Sequence, residues 1–138
     1  TRWTESGVAK SIYDPCPQGW RVPDGGENGV WSVALGPSSD YTDASLYDSA
    51  NVGINFSNKF GAEQAIWYPA SGWLGYKDGG HNYVGTALFW SASPDSNAAC
   101  YFYFSSGGFV SETTVNFSGY MHVFSNGASG LAVRCIQE

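Results

Sequence analysis

The sequence predicts an α+β domain with one early helix, a long irregular middle and a C-terminal antiparallel sheet. Three observations predict it. Only 13% of the 138 residues are charged, while glycine (18 residues) and aromatics (17%) are abundant, which favours short strands and turns over helices rich in Lys, Glu and Leu. Val30, Trp31, Ala34 and Leu35 recur with the i, i+1, i+4, i+5 spacing of one helix face. Late in the chain, Phe102 and Phe104 alternate with Tyr101, Tyr103 and Ser105, the period-two pattern of a strand with two unlike faces.

Taken in order, residues 2–12 offer one possible strand around Trp3 and another over 8–13. Pro15, Pro17 and Pro23 then fix φ and remove three backbone donors, so this stretch is neither helix interior nor central strand but a rigid connector. Asp24 stands as a plausible N-cap for a short helix over 28–36. The polar stretch to Asn51 is expected to be surface loop, with a turn of helix around 41–47. Residues 54–57 and 65–69 read as two short strands, the second stopped by Pro69. A long Gly-rich loop follows over 70–85. Residues 87–93 are strand-like, 94–97 a turn, and 99–105 the alternating strand. Further strands are expected over 113–117 and 120–124, and the apolar alternation Leu131, Val133, Cys135 closes the sheet.

Composition excludes several classes of partner. The net charge of −6 and a pI near 4.6 argue against nucleic acid, because phosphate binding needs clustered Lys and Arg and the six cations here are scattered. No apolar run approaches the roughly 18 residues of a membrane span, and no signal peptide is present. Thr1 in place of Met, and Trp3 close behind it, point to the C-terminal fragment of a longer chain carrying a single domain over 1–138. The three cysteines, Cys16, Cys100 and Cys135, contain no CxxC and no paired His, so a zinc site is disfavoured. A Cys16–Cys135 bridge would close about 120 residues and stabilise by roughly 4 to 5 kcal/mol on the chain-entropy model. Three reduced cysteines are the alternative that composition leaves open.

Four strings, in order, resemble a known family. Asp14-Pro15-Cys16-Pro17-Gln18-Gly19-Trp20-Arg21-Val22-Pro23, Tyr68-Pro69-Ala70-Ser71-Gly72, Phe89-Trp90-Ser91-Ala92-Ser93 and Ala132-Val133-Arg134-Cys135 are similar to the Fibrobacter succinogenes major paralogous domain. That domain occurs at the C-terminal ends of surface and fimbrillin-like proteins of Bacteroides-type bacteria. The resemblance covers residues 11–136 and implies a C-type lectin-like fold: one or two short helices, a long loop region, a twisted antiparallel sheet and adjacent termini. It also implies that Cys16 pairs with Cys135 and that the protein is exported to the cell surface, outer membrane or a fimbria. The Glu-Pro-Asn or Gln-Pro-Asp and Trp-Asn-Asp triplets of calcium-dependent lectins are missing; Trp90-Ser91-Ala92 stands in place of the latter. A further likeness, over 97–134, is to retroelement-diversified proteins of this fold that display variable side chains on late strands.

Candidate chemistry is sparse. Neither His81 nor His122 has a nucleophile or carboxylate beside it in a nucleophile–base pattern, so no enzyme and no cofactor are expected. Asp40, Asp43 and Asp48 lack the spacing of a calcium loop, so no metal is expected either. Cys100 adjoins Ala98, Ala99 and Phe102 without a nearby cation and is read as buried and inert. Formylglycine-generating enzymes share the fold, but their Arg-Gly-Gly signature is absent.

Trp20, Trp67 and Trp90 sit within the motif strings and are expected in the core. Trp73, Tyr76, Tyr101, Tyr103, Tyr120, His122 and Phe124 are the ligand candidates, since rigid amphipathic rings give contact area at low entropic cost. Packing of these rings under the long loops or against a neighbouring domain is the ordinary alternative. The expected function is a non-enzymatic adhesion domain binding a protein or glycan on host or neighbouring cells without calcium. The rival is a structural module that caps or docks an upstream domain or pilin subunit of the same assembly.

Overall fold

Residues 3–25, 29–35, 47–56, 66–95, 98–106, 108–110 and 129–138 are described by a computed structural model. Among them strands dominate, and they form four small sheets: β1 (Trp20–Arg21) with β10 (Ile136–Gln137); β2 (Tyr47–Asp48), β3 (Gly53–Asn55) and β4 (Trp67–Pro69); β5 (Trp73–Leu74) with β6 (His81–Asn82); and β7 (Thr86–Asp95), β8 (Ala98–Ser105) and β9 (Gly108–Val110). Helix among the described residues is confined to α1 (Val30–Leu35), six residues long. The expected α+β class, and with it the C-type lectin-like arrangement, is therefore corrected to a β-rich fold. The physical reason lies in the composition: β-branched and aromatic residues, with frequent Gly and Pro between them, favour short strands and turns over helix.

β7 is the spine. One of its edges pairs antiparallel with β8, with Phe89 opposite Phe102 and Ala87 opposite Phe104. Its other edge is covered by three separate parts of the chain: Gly72 N–H donates to Thr86 O (2.7 Å), Ala132 N–H to Leu88 O (3.1 Å), Trp90 N–H to Ala132 O (2.9 Å) and Ala92 N–H to Pro23 O (2.8 Å). No unpaired run of backbone is left along the stretch that needs burial. Residues 87–93 are all buried, as a strand covered on both faces requires.

One face of this sheet makes the main core. Phe102 and Phe104, both 0% exposed, pack with Ala87, Phe89, Trp31, Ile54, Phe56 and Tyr68. Trp31 lies flat on Phe102 at 5.1 Å, and Tyr68 meets Phe89 edge-on at 5.0 Å. Arg134 closes this side, its guanidinium 4.9 Å over the Tyr68 ring and its Nη1 donating to Trp67 O at 2.9 Å. Burial pushes the Tyr68 phenol above its ordinary range, although the Trp31 hydrogen bond and the Arg134 charge both pull the other way. Ala92 belongs to a second cluster with Cys16 and Val22, against which Trp3 and Cys135 pack.

The proline-rich connector is held by polar groups rather than by regular structure. Lys10 Nζ donates to the carbonyls of Cys16, Pro17 (2.9 Å) and Trp20 (2.8 Å) and lies 3.7 Å from Asp14. The buried Asp14 carboxylate accepts from Cys16 N–H at 2.8 Å and Val22 N–H at 3.2 Å. Prolines supply no donors here, so a lysine and an aspartate organise the chain instead. The disulfide Cys16–Cys135, with Cα atoms 5.8 Å apart, and the antiparallel pair β1–β10 then fasten the connector to the last segment, as the resemblance implied for the cysteines.

Other expectations are corrected. Residues 8–13 are irregular, with a bend at Val8 and a turn at Ile12 and Tyr13, and form no strand. Asp24 does not cap the helix; it accepts from Ser6 N–H at 3.0 Å and faces Arg21 at 3.4 Å. The helix instead starts on Gly29, whose carbonyl takes the Val33 N–H at 3.0 Å, and a Cβ there would strike the Asp24 and Gly25 backbone. Val30, expected on the buried face, is exposed, whereas Trp31 is buried. Trp20 is 41% exposed rather than core, and Trp67 is half-buried; Trp90 alone of the three is buried. Tyr47 and Asp48 pair as a strand where loop was expected, and hydrogen bonds led by the Asn51 side chain hold the Asp48 carboxyl below the usual carboxylate range. Only Ile136 and Gln137 of the last segment are strand, with Gly130 and Ala132 making isolated bridges. The strands expected over 113–117 and 120–124 lie outside the described residues.

Replacing Cys16 and Cys135 together by Ser is expected to lower the unfolding free energy by roughly 4 to 5 kcal/mol, the chain-entropy value for a cross-link spanning 119 residues. Urea denaturation measures this directly. A midpoint that does not move would show that the β1–β10 pair and the Lys10–Asp14 cage hold the ends without the bond.

Candidate functional site

The stretch expected as loop over 70–85 contains a hairpin, and the hairpin carries the exposed aromatics. Gly72 begins it at φ +77°, where a Cβ would overlap the Asn82 carbonyl oxygen. Its N–H reaches Thr86 O on the spine. Leu74 exchanges both backbone hydrogen bonds with Gly130, at 2.8 and 3.0 Å, so the hairpin is anchored on two sides. The turn is closed by Gly75 N–H to Gly80 O (2.9 Å) and Gly79 N–H to Gly75 O (2.9 Å), with the Asp78 carboxylate accepting from Gly80 N–H at 2.8 Å. Trp73 stands opposite Asn82 and Leu74 opposite His81.

Immediately after β6 the chain does something unusual. Tyr83 takes φ 51°, a left-handed conformation that costs a bulky residue about 1 to 2 kcal/mol. Thr86 N–H donates to its carbonyl at 3.1 Å, and Gly85 at φ +100° turns the chain back into β7. The Tyr83 ring stacks on Trp73, centroids 4.9 Å apart and planes 18° from parallel, yet the residue is 70% exposed. Val84 (67%) and Leu74 (47%) are exposed beside it in the chain and the hairpin. Tyr76, in the turn, is exposed with Lys77 Nζ 5.7 Å from its ring centre.

Of the ligand candidates, Trp73 and Tyr76 share this hairpin. Tyr101 and Tyr103 are elsewhere, on β8, half-buried and opposite the buried Trp90 and Leu88. Tyr120, His122 and Phe124 lie outside the described residues. Sequence reasoning missed Tyr83, Val84 and Leu74; the signal was present in the string Gly80-His81-Asn82-Tyr83-Val84-Gly85, an aromatic and a β-branched residue held between glycines. His81 is exposed, with Nε2 on the Ser71 carbonyl, so this imidazole braces the hairpin's base. Among the described residues no three His, Cys, Asp or Glu side chains converge as a metal centre would need. Comparisons with protein-family models, curated proteins and solved structures return no match for this chain.

The two turn glycines separate steric from conformational cost. Gly72→Ala meets both a left-handed φ and the Asn82 carbonyl, and is expected to lower stability by about 2 to 3 kcal/mol. Gly79→Ala, at φ +67° with nothing within 4 Å, should lose only about 1 kcal/mol. Chemical denaturation of both variants tests the ordering; equal losses would mean that the hairpin base is not as tightly closed as described.

Proposed function

We propose that this chain is a non-enzymatic ligand-binding domain of a bacterial surface or fimbrial protein, which adheres to a protein or glycan without calcium. The observation that carries the reading is the hairpin: Leu74, Tyr76, Tyr83 and Val84 expose apolar and aromatic surface on a segment anchored to Thr86 of the spine and to Gly130. Rigid rings on a fixed support bind with little ordering cost. The four family-like strings support the surface location, and the Cys16–Cys135 disulfide suits an oxidising compartment. Tyr101 and Tyr103 on β8 remain the second candidate face.

A second reading, a module that caps or docks a pilin or neighbouring domain, is favoured by a different observation. Val8, Ile12, Tyr13 and Trp20 are large apolar residues that all stand exposed around the Lys10 cage. An adhesion domain would leave this face covered and the hairpin free; a docking module would cover both.

The test is adhesion to immobilised host-matrix proteins and a glycan panel, with and without chelator. Retained binding under chelator, and at least a tenfold loss in the Tyr76→Ala/Tyr83→Ala protein, are expected. If that pair and Tyr101→Ala/Tyr103→Ala both leave adhesion unchanged, the ligand-binding reading fails.

A further inference from the structure

We infer that the Tyr83–Trp73 stack is a saccharide platform, with the outer face of Tyr83 receiving the C–H face of an uncharged pyranose ring. The inference rests on the ligand-binding reading above and narrows its ligand to one class. Two observations place the platform. The Tyr83 ring is pinned from one side by Trp73 at 4.9 Å and left exposed on the rest, which is the geometry of a stacking surface and not of a core side chain. The backbone beneath it is strained at φ 51°, a position where glycine would be at ease, so the ring is displayed at a conformational cost.

Size and charge select the ligand. A stable protein partner engages about 20 to 30 residues a side, and this hairpin, over 72–85, offers about half that. Apolar small molecules are held in concave sites that bury most of their surface, whereas Leu74, Tyr83 and Val84 project outward. The hairpin's one lysine, Lys77, adjoins Asp78, so the segment presents no net charge to select an anion or a cation. What suits an open, flat, uncharged ring is a flat ligand whose C–H groups are weakly positive and whose edge is already soluble: a neutral sugar in an oligosaccharide chain.

The probes are cellotetraose, chitotetraose and lacto-N-tetraose, each at millimolar concentration with the intact protein, read by saturation-transfer NMR. Transfer to the axial C–H protons of at least one is expected, with the apparent affinity falling at least tenfold in Tyr83→Gly. The same substitution relieves the left-handed strain, so its melting temperature should be equal to or above that of the parent. That combination separates a lost platform from a lost fold, and Tyr83→Phe, which keeps the ring, should retain at least a third of the affinity. No transfer from any of the three overturns the saccharide inference; the broader reading then survives if a matrix protein still binds in a Tyr83-dependent way and falls if it does not. Transfer that persists unchanged in Tyr83→Gly also overturns it, because the sugar would then sit elsewhere.

Discussion

The outer edge of β7 is the constraint on which the rest of this structure depends. A strand buried on both faces cannot leave its backbone donors and acceptors facing hydrocarbon, and β8 satisfies only one side. The other side is met in succession by Gly72, Ala132 and Pro23, from the middle, the end and the beginning of the chain. Each segment contributes one or two hydrogen bonds and is too short to stand as a strand alone. Their fixation therefore comes from elsewhere: Lys10 and Asp14 shape the Pro23 segment, and the Cys16–Cys135 bond ties it to the segment holding Ala132.

The same stitching places the hairpin. Gly72 joins it to Thr86, and Leu74 joins it to Gly130, two residues before the bridge of Ala132 to the spine. The displayed rings thus stand on a base that is one hydrogen bond from β7, and the strain at Tyr83 is tolerable because both flanks are held. A site on such a support loses little freedom when a ligand arrives. The terminal face, with Ile12 and Tyr13 exposed, is built on the opposite end of the same edge, where Ala92 meets Pro23.

What was legible in the sequence was whatever burial alone dictates. The Phe102 and Phe104 alternation, the strand over 87–93 and the irregular, proline-fixed connector all follow from local pattern, and each appears in the structure. Trp20 misled because its neighbours Arg21 and Val22 are buried while its own ring, on the two-residue β1, faces out. Asp24 misled because a carboxylate before a helix is a good cap only if no closer donor competes, and Ser6 and Arg21 do. The β5–β6 hairpin was invisible because two-residue strands carry no period, and one of its anchors, Gly130, lies more than fifty positions away, which no local pattern encodes. The fold class differs for a related reason: the helix stands where its pattern places it, yet at six residues, with Val30 exposed, it is too short to make an architectural layer.

Amide hydrogen exchange before and after reduction of Cys16–Cys135 tests the stitched edge most directly. In the oxidised protein the amides of Gly72, Trp90, Ala92 and Ala132 should be protected together with the β7–β8 ladder. On reduction, Trp90, Ala92 and Ala132 should lose protection by at least tenfold while Phe89 and Phe102 in the ladder keep theirs. Uniform protection that ignores the bond, or fast exchange of these edge amides in the oxidised protein, would contradict a spine held by the joined ends of the chain.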